Sequence, residues 1–517
     1  MRRRTVPRHV WIPILAGYLL LRGGLLFDRG YVADTNAYKR WALRAAQSGI
    51  GEVYAKSDMD YPPLYAWILY PLGKVSQWAD PEGAVYMQER DSRLLTVLVK
   101  LPPLLFDFGV AWLLYRLGRR TERTGGAGTA WSAVLPAAYL LNPAIVFDTG
   151  YWGQPDSIHS FFVLGAFLSL AFPRFFRGGG DRDAAGARSA DSAPSGASER
   201  SRNAAPGRPE ERSGPGRAWP AWVLLSLGTL MKPLGAPFFP LLLLLSLRWH
   251  GLRATVAGIA AAGLTTIAVF SPFLAAGNLG AVLQRVVADV QVMPNTSSNA
   301  HNFWWLLGAW KPADVPVLGP LTSRHIGLGL FGLTVLALLW RAGLLHPGRL
   351  RADLASRRGD RANPQFATPP AGPAGLILAL GVSLAFFTFS THLHENHLFL
   401  AVPFAIALLP FAAPGERATR WLAAGLSLGL LLNLAGHDLL LANRFPLTLG
   451  GPVGVINQHL KRPFFGGELV TVWLGTFLNL ALFAWYLRRT VLRRGPGWLE
   501  RPAGPQATTP VARAARR

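Results

Sequence analysis

The 517-residue chain contains no cysteine. Disulfides and thiolate metal sites are therefore excluded. Charge is also scarce. Only 15% of residues are Asp, Glu, Lys or Arg, against 50% hydrophobic, and the mean hydropathy is +0.25. The acidic sign is the scarcer one, with 28 Asp and Glu against 52 Lys and Arg. Absent too are a P-loop and an HEXXH motif. No segment has the composition of a soluble nucleotide-binding domain.

What is abundant is apolar sequence of helical length. After a basic start, MRRRTVPRHV, an apolar stretch runs to Phe27. No small-x-small cleavage signal follows it, so it is expected to be an uncleaved first helix. Further runs fall at Leu94–Leu117, Thr129–Phe147, Ser157–Phe172, Trp219–Met231, Leu234–Trp249, Ala254–Ala276, Ile326–Leu345, Ala374–Phe389, Leu398–Phe411, Trp421–Leu441 and Val470–Leu487. Together they predict an all-α polytopic membrane protein with about 12 spans. Eighteen tryptophans suit interfacial aromatic belts.

The net charge of +24 is spread over short arginine-rich loops, where it sets orientation, and not on one soluble face as in a nucleic-acid binder. Four clusters (Arg116 to Arg123, Arg248 with Arg253, Arg349 to Arg361, Arg417 with Arg420) and the basic tail share one side only if Pro62–Trp78 does not cross. That run is then expected in the outer interface, next to other interfacial helices of a long first outer loop. Four divisions follow. Residues 1–173 form an N-terminal membrane module, and 174–217, rich in Gly, Ala, Ser, Pro and Arg, a cytoplasmic linker unable to bury a core. Residues 218–490 form a second membrane module, and 491–517 a basic cytoplasmic tail.

Polar chemistry is concentrated at expected outer boundaries, where ionisable groups are costly and usually functional. In VADTNAYKRWALRAAQSG, Asp34 either caps an interfacial helix or acts chemically. In DMDYPPLYAWILYPLG, Asp60 and Tyr61 either shape a turn or meet ligand. The turn FDTGYWGQPDS offers Tyr151, Trp152, Gln154 and Asp156 for sugar hydroxyls and an apolar sugar face, or an interfacial anchor. Lys232 in GTLMKPLG sits at an outward helix break, suited to a phosphate or to snorkelling. SSNAHNFWWLLG contributes His301 and Asn302. THLHENHLFLAVP carries His392, His394, Glu395 and His397 between two apolar runs. Zinc ligation and a pH-sensitive cap are alternatives for that turn. Phosphate or sugar contact fits its spacing better, so no metal and no cofactor are expected.

These six segments, in this order, resemble the multi-span glycosyltransferases of the GT-C fold. They are most similar to the endoplasmic-reticulum glucosyltransferases that use dolichyl-phosphate glucose. VADTNAYKRWA is similar to that family's acidic segment after the first helix. DYPPL is present intact at Asp60 to Leu64, and GYWGQPDS resembles its Gln-containing turn, with Asp156 in place of an amide. MKPLGAPFFP resembles its Lys segment, HNFWW its Asn-Phe-Trp loop end, and HLHENHLFLAVP its His-x-His-Glu-Lys turn, with Asn396 in place of Lys.

The resemblance covers about Tyr31 to Pro403. It implies inverting, metal-independent transfer of a hexose, glucose or mannose, from a polyprenyl-phosphate-sugar donor. The acceptor would be a lipid-linked or cell-envelope glycan. The site would lie on the outer face of what the arginine-rich insertion implies, by analogy, is a bacterial plasma membrane. It implies Asp34 as the general base. Lys232, His392, His394, Glu395 and His397 fall on the donor side, and Asp60, Tyr61, Tyr151, Trp152, Gln154, Asp156, His301 and Asn302 on the sugar or acceptor side. A lipid-linked glycan flippase or a glycan ligase would carry similar polar groups at the membrane boundary.

Overall fold

A computed structural model describes residues 8–85, 92–124, 129–172, 175–176, 218–288, 294–308, 311–345, 373–413, 416–437, 463–464 and 468–492. The expected linker, the segment Arg349 to Pro370 and the basic tail lie almost wholly outside them. The described chain is mostly helical. Its strands are two short pairs, Pro316–Leu318 with Leu321–Thr322 and Pro463–Phe464 with Glu468–Leu469. Five helices are long and apolar enough to cross a bilayer, or six when one bent pair is taken together, and they mark a membrane protein.

Helix α1 (Arg8–Leu26) turns Leu19 and Leu20 outward, as lipid contact requires. Helix α2 (Val32–Ser48) is amphipathic and buries Tyr38, Trp41, Ala42, Ala45 and Ala46. It ends at Gly49, whose φ of 89° is costly for any side chain. Helix α3 (Pro63–Ala79) opens with Pro at a position that has no helical hydrogen bond to lose. It packs along α2, where Gly73 lies directly against the Ala42 carbonyl. At 17 residues it is shorter than the five long helices. Helix α4 (Arg93–Thr124) follows and contacts α3.

Helix α5 (Trp131–Leu140) bends by 43° into the segment Pro143–Trp152. The sequence dictates the break. Asn142 accepts from the Ala144 amide at 3.0 Å, and Pro143 starts the new turn. That turn widens into a π-helical stretch, Val146–Trp152, closed by Gly153 in the left-handed region at φ 85°. A buried ion pair braces it from below. Arg22 Nε lies 3.3 Å from Asp107, which also accepts from Tyr139 at 3.1 Å and Thr149 at 2.8 Å.

Helix α6 (Asp156–Ala171) packs against α7 (Trp219–Met231), and α7 against α8 (Phe239–Ala275). A 3-10 turn, Pro233–Phe238, joins the last two, so the helix break expected at Lys232 is present. The two runs expected within α8 meet at Gly251, whose φ of 83° and ψ of 172° break the helix. Helices α9 (Ser323–Arg341), α10 (Ala374–Phe389), α11 (Ala401–Ala407), α12 (Ala418–His437) and α13 (Val470–Leu487) complete the described bundle. One apolar core joins α4 to α7 with α10 to α12, and a second lies beneath α2 and α3.

Candidate functional site

Asp34 is the third residue of α2, but its carboxylate does not cap the helix. It accepts from Trp152 Nε1 at 2.9 Å and from Gln154 Nε2. The helix-cap alternative is thereby set aside. The Gln154 carbonyl in turn accepts from Tyr38 at 3.0 Å and from Tyr61 at 3.2 Å. One amide therefore fixes the acid of α2, a tyrosine one turn further along α2, and the tyrosine of the DYPP segment. Burial pushes Asp34 up to about 6, the Trp152 hydrogen bond pulls it down, and the Glu395 charge adds to the rise. His394 and Lys232 act on it in the opposite sense.

A cavity of about 380 Å³ opens beside this acid. Its wall includes Asp34, Tyr38, Trp41, Asp58, Asp60, Tyr61 and Arg285. Aromatic faces beside carboxylates match a sugar ring, which has one apolar face and a rim of hydroxyls. Asp58 is already engaged by Arg40 at 2.7 Å and by Trp41 at 2.9 Å, so it holds the wall in place. Asp60 is exposed and within electrostatic range of Asp34 and Lys232.

Lys232 ends α7 in extended conformation, with φ of −143° and ψ of 137°. Its ammonium is buried, 2.8 Å from Asp156 Oδ1 and 5.5 Å from the Tyr61 ring centre. Asn396 donates to the other Asp156 oxygen at 2.9 Å. Asp34, Gln154, Tyr61, Lys232, Asp156 and Asn396 thus form one connected set drawn from five distant segments.

The His-rich turn divides. His394 is within electrostatic range of both Asp34 and Lys232, and burial lowers its pKa. His397 Nδ1 accepts from the His394 amide at 3.2 Å, and the two rings meet edge to face at 5.4 Å. Glu395 hydrogen-bonds Asn299 and senses Lys232. His392 has a left-handed backbone with φ of 63°, its amide bonds the Asn295 carbonyl at 2.9 Å, and its charged neighbours are Asp314 and Arg324. It is not brought to the Lys232 side, contrary to the expectation of a histidine pair on phosphate.

His301 and Asn302 also stand apart from the sugar side they were expected to join. Both are buried. The His301 backbone is held by Asn433 at 2.8 Å and Asn479 at 2.9 Å, while Asn302 caps a short helix through the Trp304 amide at 3.1 Å. His301 thus fastens the loop to α12 and α13, and Asn302 fastens it to α10 by donating to the Phe387 carbonyl at 3.1 Å. Tyr151 contributes its carbonyl more than its ring, which packs on Phe147 at 4.9 Å.

Sequence reading missed Lys100, whose ammonium lies within 2.8–3.1 Å of four carbonyls, those of Leu25, Asp28, Gly150 and Tyr151. It ties the exit of α1 to the Trp152 and Gln154 turn. A lysine immediately before Leu-Pro-Pro inside an apolar run was the available signal. Tyr38 was also signalled, by its spacing of four residues from Asp34. Among the described residues no group of three or more His, Asp or Glu is arranged to hold a metal ion. No protein-family model matches the chain. No curated protein is significantly similar to it.

Proposed function

We propose that the chain is an inverting GT-C-type hexosyltransferase with about 12 spans, taking its sugar from a polyprenyl-phosphate donor on the outer face of a bacterial plasma membrane. The observation that carries this reading is the junction of an acid-and-aromatic cavity with a buried ammonium. Asp34 reaches Lys232 through Gln154 and Tyr61 in two hydrogen-bonded steps and one ring contact. Two of the departures from the resembled motifs, Asp156 and Asn396, touch each other and add support; a third, Thr35 after Asp34, leaves the sugar open.

In this reading the acceptor glycan enters the cavity with a hydroxyl on Asp34. The hydroxyl oxygen attacks the anomeric carbon of the donor sugar while Asp34 takes its proton. The bond from that carbon to the phosphate oxygen breaks, and the electron pair leaves on the phosphate. Lys232 stabilises the charge that develops there. With its pKa raised to about 6, Asp34 is ionised at neutral pH yet more basic than an ordinary carboxylate. His394, held neutral by burial, contributes a hydrogen bond and no charge.

The test is transfer by purified protein from a panel of polyprenyl-phosphate sugars. Asp34→Asn keeps the hydrogen-bonding shape and removes basicity. It is expected to retain donor binding while transfer falls about 10²–10⁴-fold, the usual loss for a general base. Near-normal turnover in Asp34→Asn would move the base elsewhere, and EDTA is expected to leave the rate unchanged.

A further inference from the structure

Asp156 sits where a second anion would have to sit. It is the first residue of α6, in the turn where a carboxylate favours the helix dipole. Both of its oxygens are turned to other segments, one to Lys232 at 2.8 Å and one to Asn396 at 2.9 Å. Both ends of the ion pair are nearly fully buried, with side-chain exposures of 5% for Lys232 and 2% for Asp156. The ammonium has three N–H donors. One is given to Asp156, and the Tyr61 face lies below at 5.5 Å. The remaining donor capacity is what a ligand oxygen can use.

We propose that Asp156 is a positioning residue with a second consequence: it is a built-in counter-anion that limits how strongly Lys232 holds phosphate. The proposal rests on the donor reading above. After transfer, the spent polyprenyl phosphate carries more negative charge than the donor diester did. An isolated buried ammonium would retain it. A carboxylate fixed on the same ammonium repels that product while keeping the ammonium pointed at the site. Asn396 keeps Asp156 anchored when phosphate shares the ammonium.

Asp156→Asn isolates the charge. The new amide oxygen still accepts from Lys232. Its NH2 group faces Asn396, whose own amide can flip to present oxygen, so every hydrogen bond is kept. A unit charge one ammonium away changes anion affinity by a factor on the order of ten to a hundred at the effective dielectric of such sites. A short-chain polyprenyl phosphate in detergent is the binding probe, and the thermal midpoint of each variant checks folding. The expected result is at least about tenfold tighter binding in Asp156→Asn, with kcat and KM both lowered because release becomes slow.

Asn396→Lys places a second ammonium on the far side of Asp156. It is expected to tighten binding in the same direction without altering Asp156 itself, which keeps the test decisive if Asp156→Asn fails to fold. Unchanged or weaker binding in a folded variant, beside a wild-type protein that binds the probe, would overturn the counter-anion. Failure of the wild-type protein to bind any polyprenyl phosphate would instead overturn the donor reading beneath it.

Discussion

At the scale of single residues, the candidate site is a chemistry of few charges in little water. In the proposed reaction Asp34 must be ionised to accept a proton, and its pKa is raised to about 6 chiefly by burial. Transfer is therefore expected to be nearly full at pH 7 and to fall about tenfold by pH 5, as the acid protonates on the way down. A pH profile of kcat/KM measures this directly. Trp152→Phe removes a side-chain hydrogen bond that lowers this pKa, so the acid limb is expected to move to higher pH. A limb that stays in place would assign the titration to another group. Much of this was legible in the sequence. Asp34, Tyr61, Gln154, Asp156 and Lys232 stand in short motifs, and each motif names its own polar residue. Asn396 was read only as a departure, and Lys100 only as part of an apolar run, because each gains its meaning from a partner far away in the chain. His301 and Asn302, expected on the sugar side, show the mirror case: a polar motif at a membrane edge looks the same whether it meets ligand or fastens a loop.

At the scale of elements, the site depends on how closely α2 approaches α3 and the Trp152 turn. Their approach is set by small residues and hydrogen bonds at the contact, where one added carbon meets backbone. A β-carbon at Gly73 would meet the Ala42 carbonyl, and one at Gly30 would meet the carbonyl of Tyr151. Gly73→Ala is expected to cost about 1–3 kcal/mol by overpacking and to displace the helix that carries Asp34. A lowered thermal midpoint together with reduced transfer is the measurement. Lys100→Met is expected to cost more, about 1–3 kcal/mol for each carbonyl left without a donor. It should abolish transfer even where the protein still inserts, because the α1 exit and the Gln154 turn lose their common tie. The periodicity of the apolar runs anticipated the helices well. The gap between the runs ending at Trp249 and starting at Ala254 also marked the break at Gly251, but nothing in the periodicity marked the widened turn at Val146–Trp152 or the left-handed residue that closes it. Those depend on backbone conformations that a glycine permits but does not announce.

At the scale of the whole molecule, the arrangement of charge is the main remaining constraint. The arginine clusters fall on one side of the bilayer if α3, only 17 residues long, lies outside the hydrocarbon core. Single cysteines introduced into this cysteine-free chain test that orientation. A cysteine at Arg120 is expected to resist an impermeant reagent added from outside, and one at Asp60 to react with it. The reverse pattern would invert the proposed topology. The convergence of distant segments also has a consequence in time. The chain is synthesised in order, and 362 residues separate Asp34 from Asn396 by their numbering. At ribosomal speeds of about 5–20 residues per second, roughly twenty seconds to more than a minute passes between the two. Through that interval Asp34 waits for Gln154, Lys232 emerges to an Asp156 already made, and the wall that carries Asn396 does not yet exist. The nascent protein therefore holds acids and an ammonium at a membrane boundary before their enclosure is complete, and the order of emergence, acid first and closing turn last, leaves the half-made site open to water until nearly the end.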